Sequence, residues 1–109
     1  MTAKFSVERW NQYYAPNPAM LRLLLEHEGY RVFQWGDSSG AVIALHKNAA
    51  AISHWVISGT LEMAIGGEIY VLAAGDRDFL SAETWHSARV VGEEPVVYLI
   101  GEKLNKVLI

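Results

Sequence analysis

The chain has 109 residues, of which 51% are hydrophobic and 19% are charged, and its formal net charge is −3. These values predict one globular domain with a substantial core and exclude an intrinsically disordered protein. The slight negative charge, with scattered Lys and Arg, offers no basic surface for nucleic acid. The absence of cysteine excludes disulfides, thiolate nucleophiles and thiolate zinc sites.

The sequence has no uninterrupted apolar run of about 18 residues, the length that a membrane-spanning helix needs. Its first ten residues also lack the apolar run of a signal peptide. We therefore expect no membrane partner and a cytoplasmic location, which the lack of cysteine also suits.

One helix is predicted near the amino terminus. Asn17 can cap it, Pro18 suits the first helical position, and Gly29 is well placed to end it. The apolar stripe of this helix comprises Met20, Leu21, Leu24 and Leu25.

The residues before the helix are rich in aromatic side chains. Trp10, Tyr13 and Tyr14 are predicted to form an arm that lies against the body of the fold. We divide the single domain into an amino-terminal arm and helix, residues 1–29, and a barrel, residues 30–109. The arm and exposed tryptophans predict a homodimer.

From Tyr30 onward the hydrophobic period changes from helical to two, which is typical of strands. The predicted strands are Tyr30–Trp35, Ala41–His46, Ala51–Ser58, Thr60–Ile65, Glu68–Leu72, Arg77–Leu80, His86–Val91 and Val96–Gly101. The Gly66-Gly67 pair predicts a two-residue hairpin turn, because glycine adopts positive φ without steric cost. Strands this short at this spacing predict a sandwich or barrel rather than alternating β-α units.

A histidine on a predicted strand follows a turn by eleven residues. The order is Gly75, five residues, Ser81, one residue, Glu83, two residues and His86. This segment resembles the second signature motif of the cupin barrels, which has proline at the position of Ser81 and glycine at that of Glu83. His86 falls on the motif's metal-binding histidine, and Val90 falls on a position that is often Asn.

The first cupin motif contains His-x-His, then three or four residues, Glu, six residues and Gly. Aligned on Gly59, this motif places Ile52 at the metal-binding Glu and Asn48 at the second His. His46 alone matches. Of the four metal ligands that the resemblance implies, the chain therefore keeps His46 and His86.

The resemblance covers about residues 30–103 and implies an all-β fold. That fold is the cupin-type double-stranded β-helix, or jelly-roll barrel, here with one short amino-terminal helix. It also implies one divalent metal as cofactor, such as Zn, Fe, Ni or Mn, which imidazole ligands suit.

His54 is the residue that can complete this reduced ligand set. It shares the inward strand face of Ile52, because strand side chains alternate, and it lies about 6–7 Å further along that strand. A metal site of His46, His54 and His86 is therefore conceivable, with Asn48 and Ile52 in the pocket. The alternative is a hydrogen-bonded His54 and an apolar cavity lined by His46 and His86, without metal.

Other side chains receive simpler predictions. Alternation puts Trp55 and Trp85 on the faces opposite His54 and His86, which favours a place in the core or an interface. His27, on the helix between two glutamates, is predicted to be a solvated surface residue.

Four residues of the later strands carry further predictions. Arg77 and Asp78 follow the turn at Gly75 and are predicted to form a solvated or interface pair. Tyr70 and Tyr98 are candidates to place a hydroxyl in the cavity.

The sequence leaves three functions open. The first is a small-molecule-binding barrel of unknown ligand with weak or no metal binding. The second is a metal-dependent cupin enzyme (dioxygenase, isomerase or lyase) that uses His46, His54 and His86, and the third is a structural barrel with a vestigial pocket. We favour the first, because hydrocarbon at Ile52 weakens the hold on a divalent cation and suits an apolar ligand.

Overall fold

The structure is a computed structural model that describes residues 4–104. These residues form one helix and nine strands. In chain order the elements are β1 (Phe5–Glu8), α1 (Pro18–His27), β2 (Tyr30–Asp37), β3 (Val42–His46), β4 (Ile52–Ser58), β5 (Thr60–Ile65), β6 (Glu68–Leu72), β7 (Arg77–Leu80), β8 (His86–Val91) and β9 (Val96–Lys103).

The strands form two antiparallel sheets that face each other. One has five strands in the order β1-β7-β4-β9-β2, and the other has four in the order β3-β8-β5-β6. Each of the eight predicted strands is present, and the predicted all-β fold with one short helix is confirmed. The sheets enclose a core that comprises Val56, Leu61, Met63, Leu72, Ala88, Val90, Val96 and Tyr98.

The sequence analysis did not predict β1. This strand pairs antiparallel with β7, and the ring of Phe5 stacks on the ring of Tyr70 with 5.0 Å between centroids. Four residues are too few for a hydrophobic period to stand out, so β1 depends on its pairing with β7. Residues 1–29 therefore contribute a strand to the larger sheet as well as the helix.

Helix α1 begins and ends where the sequence predicts. The Asn17 side chain accepts a hydrogen bond of 3.1 Å from the backbone N–H of Met20, and Gly29 follows the helix with a φ of 95°. Leu21 and Leu25 are fully buried against the outer face of the larger sheet, where Trp55 also packs. In the described part of the chain, no helix has the length and apolarity needed to cross a membrane.

The turn before β8 has a backbone conformation that is typical of glycine, although the residue there is Glu83. Glu83 has a φ of 63°, the one positive φ of a non-glycine residue among residues 4–104. This backbone region costs about 1–2 kcal/mol for a residue with a Cβ. The backbone N–H of Glu83 donates to the Asn48 carbonyl at 2.8 Å, which ties the turn to the loop between β3 and β4. The two segments that carry His46 and His86 are thus held together.

Candidate functional site

Two histidines face each other across neighbouring strands of the smaller sheet. His46 ends β3, His86 begins β8, and the two residues are cross-strand partners. Their ring centroids lie 4.3 Å apart. The antiparallel register therefore joins the two residues that the cupin-like motifs retain.

A third histidine reaches the same place from the larger sheet. His54 lies on β4 opposite Ile100 of β9, and its ring centroid is 5.7 Å from that of His86. Its ring is also 6.1 Å from the ring of Tyr98. The structure thus brings His46, His54 and His86 together between the two sheets. Their functional role remains a prediction.

All three imidazoles use Nδ1 to donate a hydrogen bond. The acceptors are the Ala44 carbonyl for His46 at 2.8 Å, the Thr84 carbonyl for His86 at 2.9 Å, and the Asp78 carboxylate for His54 at 3.0 Å. Carbonyl and carboxylate oxygens only accept, so each Nδ1 carries the proton. In a neutral ring Nε2 then offers a lone pair.

The Nε2 atom of His86 lacks a partner. Within residues 4–104 it is the one buried side-chain nitrogen or oxygen without a hydrogen bond, and His86 is 2% exposed. Burial lowers the pKa of His86, and the neighbouring His54 and His46 lower it further against the opposing effect of the Thr84 carbonyl. His86 is therefore a neutral acceptor near pH 7, and no described residue donates a hydrogen bond to its Nε2 lone pair.

The three rings line a cavity between the sheets, which we call the inner cavity. Its volume is about 250 Å³, and its lining comprises Trp35, Ile43, His46, His54, Leu61, Met63, His86, Ala88, Tyr98 and Ile100. None of these described side chains is a lysine, arginine, aspartate or glutamate. The Tyr98 hydroxyl is already used, because it donates to Asp37 at 3.3 Å. The polar groups left in the cavity lining are therefore the three imidazoles and the indole N–H of Trp35.

A wider space, the outer pocket, lies beside the inner cavity and shares four of its residues. Its volume is about 560 Å³, and its lining comprises Arg22, Val32, Phe33, Gln34, Trp35, His46, Asn48, Ile52, His54, Ile100 and Glu102. The predicted pocket residues Asn48 and Ile52 therefore lie here. Trp35 borders both spaces and is 55% exposed.

Asp78 is the main functional candidate that the sequence analysis missed. It is completely buried and accepts hydrogen bonds from the His54 backbone N–H at 2.8 Å and from the Tyr70 hydroxyl at 2.7 Å, besides His54 Nδ1. Burial raises the pKa of Tyr70, and the Asp78 charge raises it further, so the phenol stays a donor. Tyr70 thus places its hydroxyl behind His54, while Tyr98 lines the inner cavity.

The prediction that Arg77 and Asp78 form a solvated or interface pair is wrong. Arg77 is 3% exposed and Asp78 is 0% exposed, and they point to opposite faces of the larger sheet. Strand alternation was the signal that could have corrected this, because Asp78 shares its face with the buried Leu80. A carboxylate on the inward face of a strand needs hydrogen-bond partners in the core, and Asp78 has them in His54 and Tyr70.

The remaining predicted residues lie on the surface or in the outer core. His27 is exposed, as predicted. Trp55 packs under the helix, and its Nε1–H donates to the Gly75 carbonyl at 2.8 Å. Trp85 is exposed, with the Lys47 ammonium 5.4 Å from its ring centroid.

The chemical type of the donor atoms suits a first-row metal, but their arrangement suits it less well. Such metals bind Nε2 of imidazoles whose Nδ1–H is held by an oxygen, as it is in all three histidines. Yet across the described residues no three His, Cys, Asp or Glu side chains form a ready-made metal site.

Comparison with known proteins places the fold. A family model described as "Cupin domain" matches residues 33–101, which is more than half of the chain. No curated protein sequence matches the chain.

Solved structures resemble this one over most of the chain. A cupin 2 domain-containing protein from Halorhodospira halophila superposes with a TM-score of 0.71 at 16% identity and covers 97% of this chain and 82% of its own. The DMSP lyase DddQ from Ruegeria pomeroyi gives a TM-score of 0.65 at 17% identity over 74% of this chain and 41% of its own. A double-stranded β-helix protein from Klebsiella pneumoniae gives a TM-score of 0.59 at 30% identity over 64% of this chain and 63% of its own.

Proposed function

The chain belongs to the cupin family, and from that premise we propose that it binds a small molecule in the inner cavity and outer pocket, with weak or no metal binding. The unpartnered Nε2 atom of His86 carries this proposal. A buried acceptor without a hydrogen bond costs about 1–3 kcal/mol. A bound molecule that donates to this atom would remove that cost.

The walls of the inner cavity suit a largely apolar ligand. Ile43, Leu61, Met63, Ala88 and Ile100 supply hydrocarbon on both sheets. Ile52, at the position of the family's metal-binding Glu, extends this surface into the outer pocket. Few polar groups in a mostly apolar concavity are typical of small-molecule sites.

The outer pocket can hold the part of the ligand that stays near water. The exposed faces of Trp35 and Phe33 offer aromatic surface, and Asn48 offers an amide that can donate or accept. The DMSP lyase that shares the fold acts on a small molecule, and this agrees with a small ligand here.

A second candidate function is a metal-dependent enzyme, namely a dioxygenase, isomerase or lyase. His46, His54 and His86 would hold the ion through Nε2. The observation that favours this candidate is that all three Nδ1 atoms donate to oxygens, because such partners orient metal-binding imidazoles. A bound divalent ion would supply Lewis-acid polarisation of a substrate oxygen.

Metal analysis and ligand screening of one preparation test both candidates. For the first we expect less than one tenth of an equivalent of metal after reconstitution with Zn, Fe, Ni or Mn salts. We also expect fragment hits in ligand-observed NMR that His86→Leu abolishes. About one equivalent of metal, lost in His46→Ala and in His86→Ala, would replace the first candidate by the second. Fragments that bind equally to wild type and His86→Leu would contradict the first candidate, and absence of metal after reconstitution would contradict the second.

The homodimer and the cytoplasmic location are further proposals. Tyr13 and Trp85 are exposed aromatic residues that a second copy could cover. Trp10 is less available, because its indole N–H donates to the Tyr14 carbonyl at 2.8 Å within the same chain. Light scattering coupled to size-exclusion chromatography measures the mass directly, and a mass of one chain at micromolar concentration would contradict the dimer.

A further inference from the structure

We infer that the outer face of the smaller sheet binds a second copy of this chain, in a two-fold symmetric dimer with Glu62 and Arg89 at the centre of the interface. This inference rests on the homodimer of the proposed function and names the surface that forms it. It follows from the exposure of that face, from the register of its side chains and from the charges at its centre.

The outer face of the smaller sheet is more apolar than a sheet face in contact with solvent usually is. An antiparallel sheet with one face in the core normally presents polar side chains on the other. Here Val42, Ile69 and Val71 point outward and are 75%, 67% and 39% exposed. The described helix, α1, packs on β2 and β9 and covers the outer face of the larger sheet instead. Within residues 4–104 the smaller sheet therefore has an apolar outer face without a helical cover.

One row of side chains crosses all four strands of this face. In the order of the sheet it comprises Val42 of β3, Arg89 of β8, Glu62 of β5 and Val71 of β6. Directly opposite residues of neighbouring antiparallel strands lie on the same face, so these four side chains stand side by side. The row has one aliphatic residue at each end and an ion pair in the middle.

The adjoining row contains small side chains at its centre. Ser87 of β8 is opposite Ala64 of β5, and Ala64 is opposite Ile69 of β6. Side chains of two facing sheets interdigitate when the sheets pack together. Ser87 and Ala64 therefore leave room for larger side chains of a facing sheet beside the central ion pair.

The central ion pair is able to take part in a second pair. Arg89 donates from Nε to one carboxylate oxygen of Glu62 at 2.8 Å and from Nη2 to the other at 3.2 Å. The Arg89 side chain is still 60% exposed, and a guanidinium has five N–H donors. Its remaining donors can therefore reach the carboxylate of another chain.

A two-fold axis matches this row to itself. The axis runs along the strands, midway between β5 and β8, in the plane between two facing copies of the sheet. Rotation about it reverses the order of the row, so Arg89 of each copy faces Glu62 of the other. Val42 of each copy likewise faces Val71 of the other, and every contact occurs twice, as in all isologous interfaces. The face is thus complementary to itself in both charge and hydrophobicity.

The free edge of the smaller sheet at β6 is a poorer place for a partner. The Arg9 guanidinium donates to the Val71 carbonyl at this edge, and it also pairs with Asp76 at 2.9 Å. A strand added at this edge would need the Val71 carbonyl as an acceptor and would displace Arg9. Contact through the face leaves both interactions intact.

Charge reversal and its rescue in a mixture test the interface. In light scattering coupled to size-exclusion chromatography, wild type at about 100 µM should have the mass of two chains. Glu62→Arg alone and Arg89→Glu alone should each have the mass of one chain. We expect the dissociation constant to rise at least about 100-fold in each, because like charges then face each other at two places. An equimolar mixture of the two variants should form the dimer again.

The mixture distinguishes contacts between copies from the ion pair within one chain. Both variants lack the internal Glu62–Arg89 pair, so only contacts between copies can restore the dimer. Both variants also keep a negative net charge, −1 for Glu62→Arg and −5 for Arg89→Glu against −3 for wild type. Net charge therefore does not draw the two chains together.

A substitution at the end of the row provides a second route. Val42→Lys should also give the mass of one chain, because the new ammonium would face the aliphatic Val71 of the other copy. Leu23→Lys is the matched control, since Leu23 is an aliphatic residue of α1 with a similar exposure of 67%. Because Val42 is 75% exposed in the single chain, lysine at this position does not disturb the core. Thermal unfolding checks that all variants are folded.

Three results would overturn the inference. The first is a wild-type mass of one chain at about 100 µM, and the second is a dimer that both charge reversals leave intact. The third is a dimer that Tyr13→Ser dissociates and Val42→Lys does not, because the second copy would then lie on the amino-terminal arm. A mixture of folded variants that stays monomeric would contradict the pairing of Arg89 with Glu62 across the interface.

The small-molecule proposal is tested separately by the fragment screen of the same preparation. Fragment binding that His86→Leu leaves unchanged, together with the expected masses, would contradict that proposal and support the interface. Fragment binding that His86→Leu abolishes, together with a wild-type mass of one chain, would have the opposite meaning.

Discussion

Two buried charged residues, adjacent in the sequence, face opposite sides of the larger sheet and are treated differently by the fold. Arg77 points outward, donates to the Ser53 hydroxyl at 2.9 Å and to the Glu28 carboxylate at 3.0 Å, and lies 4.2 Å from the ring centroids of both Trp55 and Phe79. The hydroxyl, the carboxylate and the two rings together satisfy the hydrogen-bond donors and the charge of the Arg77 guanidinium. Asp78 points inward to a cluster that ends in the open Nε2 of His86.

The difference suggests two roles for a buried charged residue: Arg77 stabilises the fold, and Asp78 belongs to a candidate binding site. On the outer face the chain supplies both the Arg77 cation and the Glu28 carboxylate. This ion pair connects the end of α1 to β7, and no ligand is required to complete it. On the inner face the chain supplies the carboxylate and the imidazoles but no cation among the described residues. A buried polar cluster that is only partly satisfied is expected at a site where a ligand completes it.

The largest effect should come from breaking the complete network. Arg77→Ala removes the cation that stacks between two rings and pairs with Glu28. We expect the free energy of unfolding to fall by about 2–4 kcal/mol, mainly because the variant leaves a cavity between the two rings. The lost ion pair adds little to this, since the Glu28 side chain is 41% exposed. Urea unfolding measures this loss.

The conservative variant separates charge from shape. Arg77→Lys should recover less than half of that loss, because an ammonium cannot contact Ser53 and Glu28 with a planar fork or stack equally well on both rings. Full recovery by lysine would show that charge alone matters on the outer face.

A smaller effect is expected from weakening the inner cluster behind His54. Tyr70→Phe removes the 2.7 Å hydrogen bond to the Asp78 carboxylate and should cost about 2 kcal/mol, the usual value for a hydrogen bond to a charged group. Tyr98→Phe is the matched control. Its hydroxyl also donates to a carboxylate, but the 3.3 Å distance to Asp37 is longer than a normal O–H···O bond, so we expect a cost of about 0.5 kcal/mol. Equal costs for the two variants would argue against a special role for Asp78.

Hydrophobic period and turn residues were sufficient to predict the eight later strands, the helix, and a sandwich or barrel. The resemblance to the cupin motifs implied the jelly-roll barrel and an inward Ile52, and alternation then put His54 on the same face of β4, where the structure has it. Alternation works here because each strand has one face in the core. Strand β1 lay beyond this reasoning, since four residues gain their conformation from pairing with β7.

The inner cluster was harder to predict than the fold. Asp78 contacts His54 from a neighbouring strand, 24 residues further along the chain. The sequence alone does not show how β4 and β7 are aligned, and this alignment brings the two side chains together. The missing Glu at Ile52 suggested that the site had lost its negative charge. The structure places a carboxylate behind His54 instead, at a distance that only the folded sheet determines.

The third prediction sharpens the contrast between stability and function. His86→Leu removes an imidazole whose Nε2 is buried without a partner, and it also removes the Nδ1 hydrogen bond to Thr84 at 2.9 Å. These two changes oppose each other, so we expect stability within about 1 kcal/mol of wild type. Thermal unfolding without ligand measures it. A loss above about 3 kcal/mol would mean that His86 belongs to the structural core.

The smallest effect concerns pH. Burial lowers the pKa of His86 below its ordinary value of 6.5 in the folded protein. As pH falls below about 6.5, the unfolded chain therefore takes up a proton that folded His86 does not, and this favours unfolding. Above that pH the residue is neutral in both states and contributes no pH dependence.

Unfolding curves of metal-free wild type and His86→Leu between pH 7.5 and pH 5 isolate this contribution, since both proteins keep His46 and His54. Wild type should lose more stability on acidification, by at most about 1.4 kcal/mol per pH unit for a single proton. Equal losses in the two proteins would show that His86 takes up a proton as easily in the folded protein as in the unfolded chain. In that case the Nε2 atom of His86 is not a buried, unprotonated acceptor, and the contrast between the two faces of the larger sheet fails.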